Sequence, residues 1–215
     1  MSVNDDRITA AGERAPAVQT AAAAASPIAD PAPLGLAAFA LTTFLLSAFN
    51  AGWMTRATGD AWLGYALAYG GVAQLLAGMW EFRNKNVFGA TAFASYGGFW
   101  IGLALWSLLV APKAVFPLAA THDLGWIVLA FAIFNTYMLL MATQVNVAVF
   151  GVFLTLEVTE IVLFSGSFTG NTDTIKAGGY LGVLTALVAW YTSAAGVANG
   201  QTGRLSLPVG KPLIN

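Results

Sequence analysis

Cysteine is absent from all 215 residues, which excludes a disulfide framework, a thiolate metal site and a cysteine nucleophile. Histidine occurs once, as His122, so a histidine-rich metal centre within one chain is excluded as well. Charge is scarce: Asp, Glu, Lys and Arg make up 9% of the chain, where a soluble domain carries about 25%. The net charge of −1 excludes a polybasic nucleic-acid binder. The sequence has no HExxH, no GxSxG and no paired-aspartate phosphate site. Nothing in it calls for a metal or a cofactor, and it does not read as an enzyme.

What is present is apolar. Hydrophobic residues are 58% of the chain and the mean hydropathy is +0.71, as in an all-α polytopic membrane protein. A helix needs roughly 20 apolar residues to cross a hydrocarbon core of about 30 Å. Residues 1–29 are polar, then alanine-rich, and read as a mobile tail. Six candidate spans follow within 30–200, at about 34–54, 61–80, 92–110, 124–141, 147–165 and 177–198, and 201–215 form a second tail. The stretch 86–91 reads as a bend or a short interfacial helix. Arg56, Gly59 and Asp60 fall in the first loop, and His122 and Asp123 in the third. Thr143 to Asn146 reads as a tight turn.

With six spans, both tails and the second and fourth loops share one side. That side carries Arg7, Arg14, Arg83, Lys85, Arg204 and Lys211, against Arg56, Lys113 and Lys176 opposite. The excess puts both termini in the cytoplasm. Trp53, Trp62, Trp80 and Trp126 fall at span ends, where aromatic belts belong. Gly98–Gly102, Gly166–Gly170, Gly178–Gly182 and Gly196–Gly200 have the spacing that lets membrane helices approach closely.

A few polar groups lie inside the spans. Phe39, Thr42, Leu46 and Asn50 recur at helical spacing and put two of them on one face. Glu157 and Glu160 lie within the fifth span. An ionised acid at a span centre costs on the order of 2.5–3.5 kcal/mol, and neighbouring acids oppose each other's ionisation. At least one is therefore expected to be protonated or hydrogen-bonded to another helix. Two readings stay open: a polar contact between helices, or a proton-linked pair. Asn50 and Asn135 need partners between helices, and Tyr65 and Tyr69 fit packing or pore lining equally.

Three stretches then carry a family resemblance. One is Asp30-Pro31-Ala32-Pro33-Leu34-Gly35-Leu36. The second runs from Phe88 through Ser95-Tyr96-Gly97-Gly98 to Trp100. The third is Tyr69-Gly70-Gly71-Val72-Ala73-Gln74, with Glu81-Phe82 after it. Together they resemble the acetate uptake transporter family, the succinate–acetate permeases. The resemblance implies a bundle of six transmembrane helices with a pore in each subunit, homo-hexamers in the plasma membrane, and cargo such as acetate or succinate. It also implies a hydrophobic constriction, which falls on Phe39, Tyr96 and Leu156 here. Thr42, Thr43, Gln74 and Ser95 are the candidate hydrogen-bonding groups for the carboxylate. An apolar neck suits a small organic acid, because hydrated mineral ions would have to shed water there.

The alternative is a channel for a small neutral solute such as urea or another amide. A structural or signalling membrane protein is the third class, and the intramembrane polar groups speak against it. The family motif begins with Asn where this chain has Asp30. Both residues accept a backbone N–H at a helix start, but only Asn also donates. Asp30→Asn is expected to lower the acetate concentration that half-saturates uptake; an unchanged value would reduce Asp30 to capping.

Overall fold

Prolines open the first helix, α1, Ala32–Asn50. They fit there because the first-turn N–H groups have no partner inside the helix. Ala32 N–H donates to Asp30 Oδ1 at 2.9 Å. The computed structural model describes residues 28–55, 60–201 and 205–214. The expected tail at 1–27, Arg56, Gly59 and Arg204 lie outside them. Among the described residues the chain is helical, with no strand.

The second span is divided. It begins as α2, Ala61–Tyr65, widens into a π-helical stretch over Ala66–Ala73, and continues as α3, Gln74–Arg83. Then come α4, Val87–Leu105, continued by wide and tight turns to Lys113, α5, Pro117–Ala142, α6, Val147–Thr169, and α7, Thr172–Gly200. Five segments are helices long and apolar enough to cross a membrane. The divided stretch 61–83 is the sixth. Side chains such as Leu76, Ile133, Leu154 and Leu187 are exposed along them, as a lipid-facing surface requires.

Asparagine sets three of the helix starts. Asn86 accepts from Gly89 N at 3.1 Å, Asn146 from Val149 N at 2.8 Å, and Asn171 from Asp173 N and Thr174 N at 3.0 Å. Each such cap satisfies N–H groups that the first turn leaves open. The Asn86 cap corrects the expected bend: α4 is helical from Val87 onward. The expected third loop is corrected too. His122 and Asp123 sit inside α5, which starts at Pro117. His122 Nδ1 lies 3.6 Å from Asp123 Oδ1 and its ring packs edge-on against Phe168. Gly170, at φ +63°, closes α6 in the left-handed conformation that favours glycine.

The helices pack as antiparallel neighbours. α1 lies along α7, α7 against α6, α6 against α5, and α3 against α4. Ser193 Oγ on α7 donates to Pro33 O at 2.7 Å and ties the start of α1 to the bundle. The glycine faces divide by role. Gly178 faces Leu163 and Gly182 faces Ser47, so that pair seats α7 between α6 and α1. Gly98 and Gly102 face open space, along a groove beside α5 lined by Ser95, Phe131 and Phe134.

Residues 205–214 cross the ends of α6 and α7. Val209 O accepts from Ala148 N at 2.9 Å, Thr143 O from Leu213 N at 2.7 Å, and Asn199 Oδ1 from Leu207 N at 2.9 Å. The segment marks the side of the bundle where α1, α4 and α6 begin.

Gly97 and Gly98 make a paired test. A Cβ at Gly97 would lie 2.7 Å from Leu75 N, whereas one at Gly98 would meet nothing within 4 Å. Gly97→Ala is expected to destabilise the protein by about 1–3 kcal/mol by overpacking, read as a lowered Tm in detergent. Gly98→Ala should leave Tm unchanged.

Candidate functional site

Three apolar side chains from three helices meet inside the bundle. Phe39 of α1, Tyr96 of α4 and Leu156 of α6 are 5%, 3% and 7% exposed and belong to one core cluster. The Phe39 and Tyr96 rings meet edge to face, 5.6 Å between centroids. Phe131 and Phe134 support the Tyr96 ring from α5 at 5.8 and 5.5 Å.

A cavity of about 410 Å³ ends on this trio. On α1, α4 and α6 the trio is its deepest lining. Everything else along it lies toward the loops, out to Asp60, Ala111, Thr121 and Ser167. Thr43, Ser47, Asn50, Trp62, Trp100, Thr159 and Glu160 are among the polar residues of its wall.

The face of α1 is turned slightly from the expected one. Phe39, Thr43, Leu46, Ser47 and Asn50 line the cavity, and Thr42 does not. Thr42 donates to Ala38 O at 2.9 Å and fills the space over Gly70, where a Cβ would come within 3 Å of it. Gln74 is fully buried on the divided span, its Oε1 without a protein partner, and is not part of the cavity wall. Ser95 lies in the groove beside α5. Of the four candidate carboxylate-binding groups, only Thr43 therefore shares the cavity with the apolar trio.

Trp62 is a second correction. A belt residue at a span end is expected to be exposed, and Trp53, Trp80 and Trp126 are. Trp62 is buried and lines the cavity. Its place near the span end carried no signal that the end folds inward.

The acid pair divides as well. Glu157 faces α5, where Asn135 Nδ2 donates to it at 2.7 Å and Thr136 Oγ1 at 2.8 Å. Glu160 faces the cavity, with Oε1 3.4 Å from the Tyr96 hydroxyl and Oε2 unpartnered. Asn135, wholly buried, joins the two: its amide N–H groups reach Glu157 and Phe153 O, and its Oδ1 accepts from Tyr96 at 3.1 Å. The sequence signalled only that Asn135 needs a partner between helices.

A profile of the GPR1/FUN34/yaaH family matches residues 11–211. The chain belongs to that family. It is 36% identical over 185 residues to the succinate-acetate/proton symporter SatP of Escherichia coli, covering 86% of this chain and 96% of SatP. It is 40% identical over 197 residues to acetate permease A of Emericella nidulans. Ammonia transport outward protein 2 of Saccharomyces cerevisiae is 38% identical over 177 residues. These two alignments cover 84% and 80% of this chain but only 65% and 63% of the fungal proteins. The chain thus spans under two thirds of the length of those fungal relatives. Among solved structures, the bacterial acetate channel SatP matches with a TM-score of 0.78 at 34% identity, over 85% of this chain and 99% of that one.

Asn135→Leu would strip the Tyr96 hydroxyl and Glu157 of a partner at once. Leaving buried polar groups unpaired costs about 1–3 kcal/mol. The variant is expected to melt at lower temperature in detergent than the unaltered protein.

Proposed function

We propose that this chain is a plasma-membrane carrier or channel for small monocarboxylates, acetate foremost, with both termini in the cytoplasm and a pathway in each subunit of a homo-hexamer. One observation carries the reading: a polar-walled cavity, lined out toward the loops, ends on the apolar ring of Phe39, Tyr96 and Leu156. The SatP channel and symporter, matched over nearly their whole lengths, supply the cargo class.

The chemistry of the ring fits that cargo. Acetate carries a methyl group that tolerates an apolar ring. A mineral ion crossing the same ring would lose its hydration with nothing to replace it. The wall above the ring offers hydroxyl and indole donors for the carboxylate.

Flux of labelled acetate and labelled urea into proteoliposomes tests the proposal. Saturable acetate entry that exceeds urea entry is expected. Urea entry without acetate entry would replace the reading with a neutral-solute channel. Leu156→Ala should open the ring and raise entry of a bulkier acid such as lactate relative to acetate; an unchanged ratio would remove Leu156 from the constriction.

A further inference from the structure

The polar atoms of the cavity wall are ordered relative to the apolar ring. Thr43 follows Phe39 by four residues, Trp100 follows Tyr96 by four, and Glu160 follows Leu156 by four. Four residues are one helical turn, a rise of about 6 Å. α1, α4 and α6 all run from the terminal side toward the loops, so the three steps point the same way. A polar layer therefore sits on the ring, on its cavity side.

Each member of that layer keeps a polar atom with no protein partner: Thr43 Oγ1, Trp100 Nε1 and Glu160 Oε2. Trp62 Nε1, on the same cavity, is a fourth. The four residues are 6%, 2%, 6% and 5% exposed, in that order. Buried polar groups in native proteins are ordinarily paired. Gln74 Oε1 and Glu81 Oε1 are also unpartnered, away from the cavity, but the other four belong to residues that line one cavity, and that clustering points to a ligand that pairs them. Indole N–H only donates, a hydroxyl can donate, and a carboxylate has about four acceptor sites.

Glu160 decides what charge the layer accepts. Asn135 spends its amide N–H groups on Glu157 and Phe153 O, so its Oδ1 faces Tyr96. The single proton of the Tyr96 hydroxyl goes to that Oδ1, the shorter of its two contacts. Glu160 therefore receives no full hydrogen bond. The sequence has no Lys or Arg between Lys113 and Lys176, nor within α1, α2 or α4. Glu157, in contrast, accepts from both Asn135 and Thr136. The arrangement suits a Glu160 that keeps its proton.

We infer that the Thr43–Trp100–Glu160 layer binds the carboxyl group of the cargo, with Glu160 and the cargo carboxylate sharing one proton. This rests on the monocarboxylate reading above and names the binding site within it. The indole and hydroxyl donate to the anion while Glu160 faces it as a neutral acid. Transfer of that proton turns R–COO⁻ and Glu160–COOH into R–COOH and Glu160–COO⁻. The neutral acid then crosses the ring and gives up its proton on the far side, while a proton taken from the solution on the cavity side restores Glu160–COOH. The other titratable groups facing Glu160 are Tyr96 from α4, with Tyr137 of α5 beyond it, and Glu157 one turn away on α6. Asp60 stands at the outer rim of the cavity. From α1 the cavity receives only uncharged side chains, Thr43, Ser47 and Asn50 among them.

The test is the acetate concentration that half-saturates flux into proteoliposomes, with equal pH on both sides and protein-free vesicles subtracted. Because Glu160 must carry a proton before each binding event, half-saturation climbs as pH rises through the range in which Glu160 loses that proton, by at most about tenfold per pH unit. Glu160→Gln keeps a donor toward the cargo but cannot titrate, so its half-saturation is expected to stay flat over that range. Thr43→Val and Trp100→Phe each remove one donor and should raise half-saturation about fivefold or more at every pH, with the slope of the unaltered protein retained. A Glu160→Gln slope equal to that of the unaltered protein, or unchanged binding in both donor variants, overturns the inference. Acetate flux with a pH-independent half-saturation overturns it while leaving the monocarboxylate reading in place. No acetate flux at any pH overturns both.

Discussion

The hydrocarbon interior supplies no water, so every polar group carried into it must find a partner in the protein or line a path. The structure follows from how the chain meets that demand. Backbone groups are satisfied by helices, and the loops begin helices with asparagine side chains. The side-chain polar groups divide into two kinds. Thr42, Asn135, Glu157 and Thr159 are closed off by bonds to neighbouring helices or to their own. Thr43, Trp62, Trp100 and Glu160 are buried with an atom left over and line one cavity, whereas Gln74 and Glu81, each also with an unpartnered atom, lie away from it. What sets the four apart is that one cavity gathers them.

The apolar trio and the polar layer above it arise from one geometric fact. Three helices run in the same direction past a common axis, so residues four apart on each stack in register. An apolar ring and a hydrogen-bonding layer one turn apart need nothing more than the right residue at two positions on each helix. Asn135 then fixes the orientation of Tyr96, which belongs to both layers, through its ring below and its hydroxyl above. Close glycine contacts, Gly97 on Leu75 and Gly182 on Ser47, hold these helices near enough for the side chains to meet.

Much of this was legible in one dimension. Apolar runs of membrane length, their number and the absence of catalytic motifs come straight from the chain, as does the family through its three motifs. Less legible were the ends. The start of α5 around His122 and Asp123 is polar enough to read as loop, yet the helix runs through it, because a helix end at a membrane surface accepts both kinds of residue. Trp62 was masked by the same ambiguity.

Composition and spacing by themselves determined that this chain spans a membrane as helices, because hydrophobic length is a local property that no packing can alter. They also determined which polar residues would need partners. Only the tertiary structure decided which partners those are: that Thr43 rather than Thr42 faces the cavity, that Glu157 is closed off while Glu160 is open, and that Trp62 turns inward. A residue's helical face is set by periodicity, but a difference of one position is a rotation of about 100°. The neighbours on adjacent helices, distant in sequence, choose which of two such faces looks into the cavity.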